Sequence, residues 1–383
     1  MSSRIVFIFP GQSRNDRLPG IATGDVPQEF FYGYLALRDA GYDVAIADSR
    51  RDPDDALGRL LVRFEIKRNT WVNLGYSYQR VRALSEDLSN AALALSFTDG
   101  FSLSLGLYGH RLPRRPVLVG GFHGLADMVD VVRPAFRQTT HRRVKRALDG
   151  LDHLFFFGEP DRFAAIERFG IPLGKTSLFR FGIDTDFWCP DDAPDDGVLL
   201  SVGSDPKRDF ATLLAAPTEM PMQLLTRLPL NVPEGRAVKL LRGSYHGSRI
   251  TDLVLRDMYR KAAVVAVPLQ DVWQPTGYSV TLQAMACGRP VVLSDIKGLW
   301  DRDVYRSGEN CLLVPPGDAR AMGEAIETLR HDPTLRRRIG LAARETAERH
   351  FPLARMNRDI VTLISRLNTA PTGRTETLKM AAT

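Results

Sequence analysis

Short apolar runs alternate along this chain with longer stretches in which apolar positions recur every three to four residues. In the first half the runs are Arg4–Phe9, Asp43–Asp48, Ala92–Phe97, Pro116–Gly120 and Leu154–Phe157. Each is too short for a buried helix and reads as a strand. Gln28–Ala40 has helical spacing and is closed by Gly41, and 51–92 is mainly helical and polar. The second half repeats the theme with runs at Gly197–Val202, Gln223–Thr226, Val264–Pro268, Val291–Leu293 and Leu312–Val314. Helical spacing covers Leu255–Lys261, Ala319–Arg330, Pro333–Arg349 and Leu353–Leu367, and Leu213–Ala216 continues a further helix. Strand–helix alternation of this kind predicts parallel sheets covered by helices: an α/β fold of two Rossmann-like, doubly wound domains.

Length supports two domains, since 383 residues exceed what one hydrophobic core usually serves. The junction is expected near Phe181–Asp192, where Pro190–Asp196 is rich in Asp and Pro. The predicted division is 1–182, then 183–351, with a polar tail over 369–383 that lacks periodicity and is expected to be disordered. Cys189, Cys287 and Cys311 are far apart and lack zinc spacing, which fits a reducing cytoplasm rather than a disulfide framework. No apolar run approaches the ~20 residues that span a bilayer. A net charge of +6 and a pI near 9.3 favour anionic partners, nucleotide diphosphates or anionic lipid among them. No zinc finger, RNP motif or basic zipper points to nucleic acid.

The most informative stretch is Trp273–Val292. Gly277 opens a helix of about two and a half turns, which ends at Gly288 and leads through Pro290 into the strand Val291–Leu293. A glycine turn entering a helix aims backbone N–H groups and the positive end of the dipole at one point, an arrangement suited to a diphosphate. Ser279 and Gln283 stand four apart and share one helix face, one turn beyond that point, where a polar group reaches a ribose hydroxyl.

Gln283-Ala-Met-Ala-Cys-Gly-Arg-Pro-Val-Val292 resembles the retaining GT-B glycosyltransferases of family GT4. Their signature is Glu-x7-Glu around a glycine turn followed by Ala-Met-Ala-x-Gly-x-Pro-Val-Val. Both glutamates are missing here; the nearest equivalents are Gln274 and Gln283, one residue further apart. Glutamine still bonds a ribose diol, without the charge that strengthens such bonds. Two further stretches are similar to the family: Gly182-Ile-Asp-Thr-Asp-Phe-Trp-Cys-Pro190, like its interdomain linker, and Gly308-Glu-Asn310 through Pro315-Pro-Gly-Asp318, a turn before a strand with Asp318 as a helix cap. The resemblance covers about 175–350 well and the first half loosely. It implies a GT-B fold whose last helix, about 352–368, crosses back onto the first domain.

The same resemblance supplies site expectations. Ser201–Leu214 looks like the family's phosphate loop, so Gly203, Arg208 and Lys207 are expected at the donor diphosphate, beside Gln274, Gly277, Tyr278, Ser279 and Gln283. Arg208 suits the role because a guanidinium bonds two phosphate oxygens at once. The bland reading is a solvated Lys-Arg pair. His123, in Gly120-Gly-Phe-His-Gly124 after an apolar strand, is placed by the resemblance near the donor sugar; an isolated histidine is otherwise often structural. Asp99, Gly20 and Gly24 are candidates for the acceptor side, against ordinary turn roles. Two Asp-x-Asp triplets, Asp184–Asp186 and Asp301–Asp303, lie in the expected linker and in a polar stretch, and no metal is expected. Arg133, Arg137, His141, Arg142, Arg143, Lys145 and Arg146 form a basic segment, either a solvated face or a contact with an anionic membrane surface at the inner face.

The reading is transfer of a sugar, with retention, from a UDP- or GDP-type donor to an acceptor hydroxyl on a glycan, a lipid-linked molecule or a small molecule, with no cofactor. Loss of the glutamates leaves a second class open: a GT-B pseudoenzyme that binds sugar nucleotides without turnover. A sugar-nucleotide 2-epimerase would need acidic residues around the sugar, which the sequence does not locate.

Overall fold

A computed structural model describes residues 4–9, 14–72, 74–242 and 250–369. The tail from 370 onward lies outside the described residues. The first sheet comprises β1 (Ile5–Ile8), β2 (Val44–Ala47), β3 (Leu93–Ser96), β4 (Val117–Phe122), β5 (His153–Phe156) and β6 (Thr176–Leu178) in the order β2-β1-β3-β4-β5-β6. The second comprises β7 (Val198–Val202), β8 (Met222–Leu225), β9 (Val238–Leu241), β10 (Ala262–Val267), β11 (Val291–Ser294) and β12 (Leu312–Val314) in the order β12-β11-β10-β7-β8-β9. Every pairing in both is parallel. Central strands such as Ile5–Ile8 and Ala262–Val267 are buried at every position, as helices on both faces require.

Strand order fixes where ligands gather. In the second sheet the chain runs outward from β7 through β8 and β9, then returns to the other side of β7 with β10. The crevice at the carboxyl ends of β7 and β10 is therefore a topological switch point. β1 and β3 make the equivalent point in the first sheet.

The final helix, Leu353–Thr369, packs against the first half of the chain. Ile360 fills the space where a Cβ of Gly33 would be, Tyr42 Oη and Ser365 Oγ are 2.9 Å apart, and Ile183 pairs with Pro352. The crossing back implied by the resemblance is thus present.

Several elements differ from the sequence reading. The helix expected over Gln28–Ala40 is broken into a 3-10 turn, Glu29–Phe31, and a short helix, Tyr34–Asp39. Tyr32 (φ 48°) and Gly33 (φ 80°) adopt left-handed backbone between them, and the Tyr32 ring stacks on Phe97 at 4.8 Å. Tertiary aromatic packing overrides local periodicity there. Strands β6 and β9, and the helices Asp99–Tyr108 and Glu159–Phe169, were not anticipated. Short edge strands and a helix buried on nearly all sides carry little periodic signal.

Candidate active site

Arg208 is placed by backbone pairing across the switch point. Its residue bridges Leu269, Asp209 N–H donates to Pro268 O at 3.0 Å, and Gln270 N–H donates to Lys207 O at 3.0 Å. The guanidinium runs back through space left by two glycines. A Cβ on Gly203 (φ +154°) would collide with Arg208 Nε, and a Cβ on Gly277 (φ +88°) would stand 2.9 Å from Nη1. Both glycines thus serve backbone conformations that L residues rarely adopt and room for one side chain. Arg208 is 7 % exposed, which rules out the solvated-pair reading for it, whereas Lys207 is half-buried. Asp209 caps the next helix, Phe210–Ala215, by accepting from Thr212 N–H at 3.1 Å, so Arg208 stands before that helix rather than in its first turn.

The helix announced by Gly277 spans Tyr278–Ala286, with no side chain capping its start. Its first-turn N–H groups and Arg208 Nη1 therefore meet at Gly277, two positive features at one place. Ser279 lies in that first turn, partly exposed. Gln283 is 3 % exposed, and its Oε1 accepts from Tyr259 Oη at 3.1 Å. Gln274 faces elsewhere: its Nε2 donates to Asp205 Oδ2 at 2.8 Å. The two glutamines are consequently not a matched pair, a difference that a sequence spacing cannot reveal.

Asp205 escaped the sequence reading. It accepts from Gln274 Nε2, from Thr276 Oγ1 at 3.1 Å and from Lys207 N–H at 2.8 Å. One carboxylate thereby fixes the loop after β7 to the loop before the Tyr278 helix. Nothing in the sequence links Asp205 to positions some seventy residues away, and only its place after a strand-ending glycine was a hint.

The first sheet supplies the opposite wall. His123 follows β4; its Nε2 lies 2.8 Å from Phe97 O and its Nδ1 3.2 Å from Tyr278 Oη. A carbonyl only accepts, so the proton sits on Nε2 and Nδ1 accepts from the tyrosine hydroxyl. The ring stacks on Phe157 with centroids 4.1 Å apart, and burial holds its basicity below the usual histidine value despite the carboxylate of Asp99. Histidine and tyrosine thus join the two domains through one hydrogen bond, with the imidazole neutral. Asp99 Oδ1 accepts from the N–H groups of His123 and Gly124 at 3.2 and 3.3 Å, and burial raises its pKa. It shapes the His123 loop rather than forming a simple turn.

The glycines around His123 leave room for neighbouring side chains. A Cβ on Gly121 would strike the Phe155 ring, and one on Gly124 would stand 2.9 Å from Gln274 Oε1. Gly20 lies in the short helix Leu18–Ala22, where its carbonyl accepts from Asp25 and Val26, and Gly24 is an exposed left-handed turn. No contact brings either glycine to His123 or Arg208 among the described residues. Of the Asp-x-Asp triplets, Asp184 accepts from Gln28 and Phe187 N–H groups and Asp301 pairs with Arg180 at 3.0 Å. Among the described residues no three His, Cys, Asp or Glu side chains cluster as metal ligands.

The two walls are also held by Asp127 Oδ2, which accepts from Gln274 N–H at 2.8 Å, and by the ion pair Arg17–Asp252.

Comparison with known proteins agrees with this architecture. The family described as Glycosyl transferases group 1 matches residues 232–332. Alpha-maltose-1-phosphate synthase of Mycolicibacterium smegmatis is 29% identical over 213 residues, 47% of this chain and 54% of that protein. Phosphatidyl-myo-inositol mannosyltransferase of Mycobacterium leprae is 41% identical over 71 residues, 18% of each chain. The chain thus spans about half, or less, of the curated relatives it matches. Among solved structures, sucrose-phosphate synthase of Thermosynechococcus elongatus superposes with a TM-score of 0.68 at 20% identity, covering 95% of this chain and 99% of the other. Anabaena HepE in complex with UDP-glucose gives 0.64 at 17% identity, covering 95% and 99%. At such identities the likeness speaks for the fold. With two six-stranded parallel sheets and a recrossing final helix the chain has the GT-B fold, and its second half matches the group 1 glycosyltransferases over residues 232–332.

Proposed function

We propose that this protein is a retaining glycosyltransferase that moves a sugar from a nucleoside diphosphate to an acceptor hydroxyl. The observation that carries the reading is the convergence of Arg208 with the start of the Tyr278–Ala286 helix across Gly203 and Gly277. A diphosphate between a guanidinium and a helix N-terminus is stabilised by both, and its leaving-group charge grows as the sugar departs. Lys207 adds a further cation at the rim, so the site needs no metal to balance that charge. The solved relatives in complex with UDP or UDP-glucose favour a UDP-type donor over a GDP-type one. Ser279 and the amide of Gln283 are the groups we assign to the ribose.

In the reaction the bond from the anomeric carbon to the phosphate oxygen breaks, and the acceptor oxygen bonds that carbon on the same face. The acceptor proton passes to the departing phosphate oxygen, so no protein carboxylate need act as nucleophile. The protein's part is to hold both partners in line and stabilise the leaving group. His123, neutral with Nδ1 directed at Tyr278, is suited to accept a hydrogen bond from a sugar hydroxyl that displaces the tyrosine. The acceptor side is assigned to the first domain around Asp99, and the setting to the cytoplasm. Binding without turnover is the competing reading, since neither glutamine carries the charge of the family's glutamates.

Arg208→Ala tests the assignment. Calorimetric titration with UDP is expected to show affinity falling about 10- to 100-fold, as for a lost charged hydrogen bond, with transfer from a panel of sugar nucleotides falling in step. Unchanged UDP affinity would remove Arg208 from the site. Tight UDP binding by the wild-type protein with neither transfer nor hydrolysis across the panel would favour the binding protein.

A further inference from the structure

Helix Ala56–Val72 turns an apolar stripe away from the protein. Leu57, Leu60, Leu61 and Phe64 recur at i, i+3, i+4 and i+7 and are 65, 48, 38 and 60 % exposed. At 100° per residue they fill one arc about 100° wide. The adjoining arc carries Gly58 and Val62, both buried, with Glu65 and Asn69. Glu65 accepts from the N–H groups of Tyr78 and Gln79 at 3.0 and 3.1 Å, and Asn69 Oδ1 accepts from Tyr76 N–H at 3.1 Å. The helix is therefore seated on the first domain by its polar and small residues and shows water its large apolar ones, the reverse of an ordinary surface helix.

Charge says what covers the stripe. Arg59, Arg63 and Lys67, four apart, form an exposed row beside it. From 56 to 69 the sole acid is Glu65, and it is turned inward. The basic field continues onto the neighbouring helix Arg137–Asp149: the guanidinium of Arg68 lies 5.5 Å, and that of Arg143 5.0 Å, from the ring of Tyr76. A second copy of this chain packed stripe to stripe would set two such cationic rows along one seam, with no outward acid within 56–69 to oppose them. An anionic bilayer meets both demands, taking the apolar side chains below the headgroups and leaving the cations among the phosphates.

We propose that the Ala56–Val72 helix lies in the surface of an anionic membrane. The leucines and Phe64 enter the acyl boundary and the flanking cations pair with lipid phosphates. This shifts the insertion point away from the basic segment 133–146, whose helix buries its apolar Val144, Ala147 and Leu148 within the domain. The stretch that follows the helix brings Gly75 against Gly100, beside Asp99. The inserted helix thus leads to the acceptor side of the cleft. The inference stands independently of the transferase reading.

Vesicle flotation of the full chain tests it, with phosphatidylcholine alone and with about 30 % phosphatidylglycerol added. The protein is expected to float with the anionic vesicles, little with the neutral ones, and to be released by high salt. Leu60→Ser with Phe64→Ser should lower the bound fraction at least ~10-fold. Arg59→Glu, Arg63→Glu and Lys67→Glu together should lower it ~100-fold. All five side chains are exposed, so the fold should survive, as circular dichroism would check. Leu341→Ser, at an exposed leucine of another helix, should bind as the wild type does. Equal binding to neutral vesicles, or undiminished binding by the Leu60/Phe64 variant, overturns the proposal. A dimer in light scattering that this variant dissociates, with no vesicle binding, would assign the stripe to self-association instead. UDP titration of the same variants separates failure here from failure of the donor site.

Discussion

Glu29 is fully buried where the two halves of the chain meet, with Oε1 2.8 Å from Trp188 Nε1. Burial drives its pKa from 4.5 to about 8, aided by Asp184 and Asp252 and opposed by the indole hydrogen bond. The group is thus largely neutral at pH 7. Its folded-state value exceeds its unfolded one, so the folded state is favoured most below pH 4.5. That advantage is lost as pH rises toward about 8. Glu29→Gln keeps an acceptor for Trp188 and removes the titration. Its stability relative to wild type should climb between pH 5 and 8, by roughly 2–4 kcal/mol. Parallel urea melts at those two pH values check this; a difference that does not vary with pH would mean that Glu29 is ionised in the fold.

Among the elements, the Tyr278–Ala286 helix depends on how it begins. Gly277 has φ +88°, and a Cβ there would stand 2.9 Å from Arg208 Nη1, 3.1 Å from Val267 and 3.2 Å from Leu269. Gly277→Ala should therefore cost about 1–3 kcal/mol of stability through strain and also shift the guanidinium. Thermal melts with UDP titration would register both losses. Normal affinity in a destabilised protein would show that the turn serves folding alone. The signature helix was legible in the sequence because its signals are local: a glycine at each end and an apolar strand to follow. The Glu29–Asp39 segment was not, because its break at Tyr32 and Gly33 answers to Phe97 and Ile360, distant in sequence.

On the scale of the whole molecule, the polar contacts that join the two halves include Asp127 with Gln274, Arg17 with Asp252 and Tyr278 with His123, beside Glu29 with Trp188 and Arg180 with Asp301. Each joins one half of the chain to the other and each is small beside the cost of moving two domains. Replacing Asp127 and Arg17 together by alanine should shift the population toward an open form. Small-angle scattering would show this as a larger radius of gyration, restored in part by UDP. No change in either state would mean that the remaining contacts between the halves, with the recrossing helix Leu353–Thr369, set the angle between the domains.

Local chemistry wrote much of this protein into its sequence: alternating strands and helices, two domains, and the left-handed turn at Gly277 that opens a helix. Those features need only neighbours within a few residues, or a motif whose spacing reflects one helix and one strand. Tertiary structure alone decided which carboxylates matter. Asp205, Asp127 and Glu29 gain their partners across long sequence separations. It also separated Gln274 from Gln283, and turned Leu57, Leu60, Leu61 and Phe64 outward. Their periodicity reads equally well for a core, and only the packing of Val62 and Glu65 against the domain fixed which face met the solvent.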